Sequence, residues 1–207
     1  MSTKRTVAVV DYGAGNLRSV LSALRTLEYD AMVLDSPRSS DTACALILPG
    51  VGAAADTMEN LRQRGLSKLV TDWITAERPF LGVCMGMQVL FEHSEEGHGQ
   101  ECLGILPGRV VRLPADHKVP HMGWNQVNYR IGSTLFRGIP NNTDFYFVHS
   151  YVVEPKDDSA VEATTEYGDR FCSVIRRGSI VATQFHPEKS GAQGLRLYAN
   201  FLEDARV

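Results

Sequence analysis

The chain contains the segment Pro79-Phe80-Leu81-Gly82-Val83-Cys84-Met85-Gly86-Met87-Gln88, in which a short apolar run leads into a cysteine flanked by glycines. Its centre, Gly82 to Gly86, has the Gly-x-nucleophile-x-Gly spacing of a nucleophile elbow. In such an elbow the nucleophile stands at a sharp turn between a strand and a helix, so its neighbours at both ends must be small. The run before Cys84 predicts a buried strand, and the apolar spacing after it predicts a helix over residues 85–92. The segment therefore predicts a thiol displayed at a strand-to-helix turn.

A second segment, His186-Pro187-Glu188, follows a predicted strand over residues 180–185. A histidine just beyond a strand end can serve as general base toward a thiol, and a carboxylate two residues later can orient its imidazole. Cys84, His186 and Glu188 are therefore the candidate catalytic residues. Taken alone, Cys84 could be a buried structural cysteine, and His186-Pro187 could be an unrelated turn. Because both segments follow predicted strands, the two together favour a triad.

Two glycine-containing turns also follow predicted strands, namely Asp11-Tyr12-Gly13-Ala14-Gly15 and Pro49-Gly50-Val51-Gly52. Sites in open α/β sheets form beyond the carboxyl ends of strands, so both turns can converge with the elbow. The second turn can supply a backbone N–H to an oxyanion, beside the N–H of Met85, or can simply be a turn that needs glycine. The first turn lacks the third glycine of a dinucleotide fingerprint and the Lys-Ser/Thr of a P-loop, which favours a tight turn over a phosphate site.

The composition is that of an ordinary globular chain: 207 residues, 43% hydrophobic, 22% charged, with a formal net charge of −3. This charge gives no reason to expect nucleic acid or an anionic membrane as a partner. The apolar run Val7–Val10 is too short for a signal-peptide core, and no run approaches the ~20 residues that span a bilayer. The cysteines, at positions 44, 84, 102 and 172, form no Cys-x-x-Cys pair, which fits the cytoplasm. No metal-ligand spacing occurs, so we expect neither a metal nor another cofactor.

Strand and helix patterns alternate through the first half of the chain, which predicts a doubly wound, mostly parallel α/β sheet flanked by helices. Asn16 is predicted to cap the first helix. From about residue 100 short strands predict a mixed or antiparallel extension, at residues 110–113, 126–129, 145–153, 161–166, 171–176 and 180–185. A last helix is predicted over residues 193–205, and residues 5–207 are expected to form a single domain.

The elbow together with His186-Pro187-Glu188-Lys189-Ser190 resembles class I glutamine amidotransferases, a family with a flavodoxin-like fold, and Pro49–Gly52 resembles that family's oxyanion loop. The resemblance runs from about Val7 to Leu202. Ala53 departs from it, since relatives often carry a bulkier or polar residue there. Three further stretches are similar to the glutaminase subunits of imidazole glycerol phosphate synthases: Asp11 to Asn16, Pro120-His121-Met122-Gly123-Trp124-Asn125, and Tyr146-Phe147-Val148-His149-Ser150-Tyr151.

This resemblance implies hydrolysis of L-glutamine. Cys84 would attack the side-chain amide, His186 would move the proton, and Glu188 would orient His186. The oxyanion hole would comprise Gly50, Val51, Gly52 and Met85, and the residues holding substrate would be Gln88, Ser150 and Tyr151.

The resemblance also implies a heterodimer with a separate (β/α)8-barrel cyclase subunit, which receives the ammonia in histidine biosynthesis. Residues matching the interface are Asn16, Trp124, Tyr146 and Lys189. Trp124 as plain core and Lys189 as a solvated charge are the alternatives at those positions.

Three other functions compete with this one. Another class I amidotransferase, or a cysteine peptidase with the same elbow, would share the triad but not the stretch Pro120–Asn125. A non-catalytic binding subunit on the same fold would not need Cys84, His186 and Glu188 intact.

Overall fold

The computed structural model describes residues 5–38 and 40–205, and within them it contains one sheet of 13 strands. The last two residues of the predicted domain, 206 and 207, lie outside the described residues. The strands in the first half are β1 (Thr6–Val10), β2 (Asp30–Leu34), β3 (Ala43–Leu48), β4 (Phe80–Val83), β5 (His93–Ser94) and β6 (Gln100–Glu101). Those in the second half are β7 (Gly108–Arg112), β8 (His121–Tyr129), β9 (Thr143–His149), β10 (Tyr151–Pro155), β11 (Val161–Tyr167), β12 (Asp169–Arg177) and β13 (Ile180–Thr183).

The helices are α1 (Leu17–Thr26), α2 (Ala54–Gln63), α3 (Leu66–Thr75), α4 (Met85–Gln88) and α5 (Gly191–Asp204). Short 3₁₀ turns cover Asp158–Ala160 and Pro187–Lys189. In the part of the chain that is described, no helix is long and apolar enough to cross a membrane.

The parallel part of the sheet has the order β2-β1-β3-β4-β13. Helices cover both of its faces, and successive residues of β1 point to opposite cores. Val7 and Val9 pack with residues of α1 and α5, whereas Ala8 and Val10 pack with residues of α2 and α3. Burial on both faces explains why these strands read as continuous apolar runs. The predicted fold class is confirmed by this architecture.

Beyond β13 the sheet continues through antiparallel neighbours, in the order β12-β10-β7, and a branch of β11, β8 and β9 leaves it at β12. This is the predicted antiparallel extension. The predicted strand over residues 145–153 is in fact two strands, because the chain leaves β9, which pairs with β8, and joins β7 after Ser150. No turn residue other than this serine marks the break in the sequence.

The helix after the elbow is shorter than predicted, since α4 ends at Gln88 rather than near residue 92. The backbone N–H of Glu92 donates to the carbonyl oxygen of Gly108, and those of Leu90 and Phe91 donate to residues three positions back. These N–H groups therefore do not make the bonds to the fourth residue back that would extend an α-helix to residue 92. Strand β8 is longer than predicted, because the stretch from His121 to Asn125 pairs with β9.

Candidate active site

The carboxyl ends of β1, β3, β4 and β13 meet at one edge of the sheet, and a cavity of about 360 Å³ opens there. Its wall contains Cys84 and residues predicted to bind an oxyanion or substrate, namely Val51, Gly52, Met85, Gln88, Ser150 and Tyr151. A larger cavity of about 690 Å³ lies in the antiparallel part, and none of the predicted site residues lines it. The smaller cavity is therefore the one that combines a nucleophile with polar groups.

The backbone at Cys84 has the strained geometry expected of a nucleophile elbow, with φ 53° and ψ −106°. A non-glycine residue rarely adopts positive φ, and such strain costs on the order of 1–3 kcal/mol. The flanking glycines allow the turn to close. A Cβ on Gly82 would lie 2.5 Å from the carbonyl oxygen of Gly86, and a Cβ on Gly86 would overlap the carbonyl oxygen of Leu48.

His186 and Glu188 form a buried pair beside the elbow, with Nδ1 of His186 2.8 Å from Oε1 of Glu188 and both side chains 1% exposed. The pairing makes Nδ1–H the donor, so the other ring nitrogen is left as an acceptor. Nε2 is buried, and among the described residues it has no hydrogen-bond partner. Burial acts to lower the pKa of His186, but the charges of the Cys84 thiolate and of Glu188 outweigh it and raise the pKa above its ordinary value. The surroundings therefore stabilise the charged imidazole, which suits a base that takes a proton from Cys84.

The turn at Gly50 packs against the elbow more closely than any other residue type would permit. A Cβ on Gly50 would lie 2.6 Å from Cβ of Met85 and 2.9 Å from the hydroxyl oxygen of Tyr12. Tyr12 is fully buried, and this burial raises the pKa of its phenol to about 12. Gly52 follows with φ 101°, in a region that favours glycine. Both glycines thus have a structural reason, which is independent of any role in binding an oxyanion.

Two side chains at the site were missed by the sequence analysis. Glu96 lines the cavity, and its Oε2 accepts a 2.6 Å hydrogen bond from the backbone N–H of Ala54 at the start of α2. Gln184 is fully buried and donates to Sγ of Cys84 at 3.6 Å. Gln184 stood within a predicted strand, two residues before His186, and a polar residue in that apolar run was the only available signal.

A directed chain of hydrogen bonds enters the site from β8. Nδ2 of Asn125 contacts Nε2 of His121 at 3.2 Å, Nδ1 of His121 contacts Nε2 of His149 at 2.9 Å, and Nδ1 of His149 lies 3.0 Å from the carbonyl oxygen of Tyr151. A carbonyl accepts only, so each ring must donate through Nδ1 and accept through Nε2. Burial lowers the pKa of His121 to about 4 and, with the neighbouring His121, that of His149 to about 3. Both imidazoles are therefore neutral at pH 7.

Of the predicted interface residues, Lys189 lines the cavity, and the others are connected to it or to the triad by contacts. Trp124 is 59% exposed, which excludes a plain core role for it, and its ring makes an edge contact with Tyr146 at 6.0 Å. Nζ of Lys189 lies 5.7 Å from the centre of the Tyr146 ring. The carbonyl oxygen of Tyr146 accepts a 2.9 Å hydrogen bond from the backbone N–H of His186. The surface carrying Trp124 is thus connected through one residue to the predicted base.

Asn16 stands at the start of α1 as predicted, but its side chain does not cap the helix. Instead, Oδ1 accepts a hydrogen bond from the hydroxyl of Ser19, and Nδ2 donates to Oε1 of Glu188 at 3.4 Å. No group of three or more potential metal ligands occurs in residues 5–38 and 40–205.

Comparison with known proteins identifies the family. The family model for Glutamine amidotransferase class-I matches residues 8–205. The chain belongs to this family. Among curated amidotransferases of this kind it is 51% identical, over 199 residues, to Imidazole glycerol phosphate synthase subunit HisH of Dehalococcoides mccartyi strain CBDB1, covering 96% of this chain and 97% of that one. It is also 51% identical to the HisH subunit of Moorella thermoacetica, covering 98% of this chain and 96% of that one.

Solved structures agree with the fold of the amidotransferase. The structure of PurLQS from Thermotoga maritima matches with a TM-score of 0.79 at 16% identity, covering 98% of this chain and 99% of that chain. Another, described as a glutamine amidotransferase, matches with a TM-score of 0.74 at 24% identity and covers 97% and 99%.

Proposed function

We propose that this amidotransferase is the glutaminase subunit of an imidazole glycerol phosphate synthase, acting in the cytoplasm as a single domain over residues 5–207. It would hydrolyse L-glutamine to glutamate and deliver the ammonia to a (β/α)8-barrel cyclase subunit. The observation that carries the proposal is the position of Cys84 at a strained turn, in a cavity wall, beside the buried His186–Glu188 pair. Identity of 51% to HisH subunits supports it.

In the first half of the reaction, Sγ of Cys84 attacks the side-chain amide carbon of glutamine, and the thiol proton passes to Nε2 of His186. The tetrahedral oxyanion receives hydrogen bonds from backbone N–H groups of Met85 and the Gly50-Val51-Gly52 turn. The C–N bond then breaks, and ammonia leaves with the proton from His186. Glu188 stabilises the imidazolium that forms between these steps.

In the second half, His186 takes a proton from water, which attacks the thioester carbon. The C–S bond breaks, glutamate is released, and Cys84 recovers its proton from His186. No metal or redox partner is needed for either half, because every proton is transferred between Cys84, His186, water and the substrate.

Polar groups in the cavity wall suit an amino-acid substrate. Gln88 has a buried Oε1 without a partner among the described side chains, and this atom can accept a hydrogen bond from an N–H group of glutamine. The carboxylate of Glu96 suits the α-ammonium group, and backbone of Ser150 and Tyr151 suits the rest of the amino-acid end.

The partner would dock on the surface formed by Asn16, Trp124, Tyr146 and Lys189. The barrel would combine the ammonia with a phosphoribulosyl-formimino aminoimidazole carboxamide nucleotide, forming imidazole glycerol phosphate and the aminoimidazole carboxamide ribonucleotide. We propose that hydrolysis is slow until this partner binds its nucleotide, and that the Gly50-Val51-Gly52 turn then moves to present its N–H. One missing oxyanion donor costs roughly 10²–10³ in rate.

The test is steady-state glutaminase kinetics on the chain alone, with the barrel subunit, and with barrel plus nucleotide. We expect a large gain in kcat, with KM less affected, only in the last case. Full activity of the lone chain would refute the gating by the partner. Peptide cleavage without glutamine hydrolysis would instead indicate a cysteine peptidase, and no labelling of Cys84 by a glutamine-analogue alkylator would indicate a binding subunit.

A further inference from the structure

Gln184 connects the nucleophile to the substrate side of the cavity. It follows β13 and is fully buried, with its backbone N–H held by the carbonyl oxygen of Ser173 at 2.9 Å. Its Nε2 donates to Sγ of Cys84 at 3.6 Å, and its Oε1 accepts from Nε2 of Gln88 at 3.0 Å. The triad chemistry described above makes no use of this side chain.

The hydrogen bonds fix the direction of both amides. Nε2 of Gln88 has two acceptors, the carbonyl oxygen of Tyr151 at 3.0 Å and Oε1 of Gln184. Because a carbonyl oxygen and Oε1 cannot donate, the NH₂ group of Gln88 must face them, and its own Oε1 must face the other way. That Oε1 is buried and has no hydrogen-bond partner in the described chain. If the Gln184 amide were reversed, two NH₂ groups would meet and the sulfur would face an oxygen.

We infer that Gln184 is a positioning residue for the glutaminase reaction: it donates a hydrogen bond to the Cys84 thiolate and fixes Gln88 so that its Oε1 accepts from the substrate. The inference rests on the proposed function. A buried anion requires donors, and a donor that prefers the charged form increases the fraction of thiolate at a given pH. Gln184 therefore affects both the readiness of the nucleophile and the polarity of the pocket.

Other titratable groups surround Cys84, and each must stay constant in a test of this role. They are His186 and Glu188 beyond β13, His149 from β9, Tyr12 after β1, and Glu96 and Lys189 around the cavity. Substitutions confined to Gln184 leave all of them in place. Because Gln184→Glu adds a carboxylate of its own, a change in the pH behaviour of Cys84 that Gln184→Met shares is the one assigned to loss of this amide.

The experiment compares Gln184→Glu, Gln184→Met and the matched control Gln63→Glu, which makes the same chemical change on an exposed helix residue. Gln184→Glu keeps an acceptor for Gln88 but places an oxygen against the sulfur. Gln184→Met removes donor and acceptor without adding charge, so a fold defect caused by a buried carboxylate cannot hide the result. The rate of alkylation of Cys84 by iodoacetamide is measured against pH in each full-length chain, with each cysteine peptide quantified by mass spectrometry.

We expect the midpoint of Cys84 alkylation to rise by about one pH unit or more in Gln184→Glu, and by less in Gln184→Met, with Gln63→Glu unchanged. In the complex with the barrel subunit and nucleotide, Gln184→Glu should lower kcat roughly tenfold with little change in KM. Gln184→Met should also raise KM, because Gln88 loses its partner.

If the midpoint of Cys84 alkylation were unchanged in both Gln184 variants, the inference would be overturned. This holds even if the unsubstituted protein is an active glutaminase. Failure of the proposed function itself would look different: the unsubstituted chain would hydrolyse no glutamine, even with the barrel subunit and its nucleotide. The two failures are therefore separable.

Discussion

Asn16 donates a hydrogen bond to the same carboxylate oxygen of Glu188 that holds the imidazole of His186, although 172 residues separate Asn16 from Glu188 in sequence. A residue of the proposed partner surface thus contacts the group that orients the base. A change in the position of Asn16 on complex formation would be transmitted to the base through a single carboxylate.

Asn16→Ala should therefore lower kcat in the assembled complex by roughly three- to tenfold, because Glu188 loses one donor. Ser19→Ala is the control, since it removes only the hydroxyl that donates to Oδ1 of Asn16. Measuring kcat at a saturating concentration of the barrel subunit separates this effect from weaker binding of that subunit. Equal losses in the two variants would argue against the contact with Glu188.

Removal of the triad side chains should have graded effects. Cys84→Ala and His186→Ala should both abolish glutamine hydrolysis, since the nucleophile and base act as a unit, while Glu188→Gln should lose less. All three complexes should still use added ammonium salts, because the acceptor site is on the barrel. Greater damage from Glu188→Gln than from His186→Ala would reverse the roles assigned here.

The buried pair of His121 and His149 should make the free energy of unfolding decrease at acidic pH. Their pKa values in the folded chain, about 4 and about 3, lie below the ordinary 6.5, so folding requires neutral rings. The stabilisation is complete above pH 6.5 and is lost as pH falls through the folded values, by up to roughly 3 kcal/mol for His121 at pH 4.

Urea unfolding from pH 8 to pH 4 measures this dependence. His121→Phe keeps the ring stack with Tyr167, whose centroid lies 4.0 Å away, and should flatten the profile. His98→Gln, at an exposed position, is the control and should show the same dependence of stability on pH as the unsubstituted chain. If His121→Phe retained the full acid slope, other groups would be responsible for it.

Two glycines of the site should differ in how alanine affects stability. Gly86→Ala places a Cβ against the carbonyl of Leu48, where rigid backbone cannot yield, and should cost about 3 kcal/mol or more. Gly52→Ala meets no atom within 4 Å and should cost only ~1–2 kcal/mol, from its φ of 101°. Denaturation midpoints test the ranking, and the reverse order would contradict the close approach at Gly86.

The exposed Trp124 should matter for association and not for folding. Trp124→Ala should weaken binding to the barrel subunit by about tenfold or more, as truncation of an aromatic anchor often does, with the melting temperature unchanged. Ile131→Ala is the control, because Ile131 is 99% exposed outside the predicted surface. Affinities for the barrel subunit are measured by titration calorimetry. Equal affinities of the two variants would show that Trp124 is not part of the interface.

Local patterns predicted the parts of the fold that depend on neighbouring residues. The apolar run before Cys84 and the glycines around it were enough to place a strand and a sharp turn, because both follow from spacing and size. The predicted end of α4 was wrong, because the backbone N–H of Glu92 donates to Gly108, in a later segment, and not to Gln88 within the helix. The split at Ser150 likewise depends on which strands pair with β9 and β10.

The same distinction holds for the site. Cys84, His186 and Glu188 stood out because each lies in a short motif. Gln184 and Glu96 lie in no such motif. The contact of Gln184 with Cys84 and that of Glu96 with Ala54 form only when distant segments of the chain come together.

Strand β13, which leads to His186, lies between β4 and β12 and pairs with β4 in parallel register, Thr183 beside Val83. A ribosome therefore completes the elbow strand about a hundred residues before it makes the strand that must be inserted next to it. Any nascent or truncated product ending before residue 180 would lack both a central strand and the base. Ammonia release by this triad is thereby confined to molecules in which residues 180–188 have been synthesised.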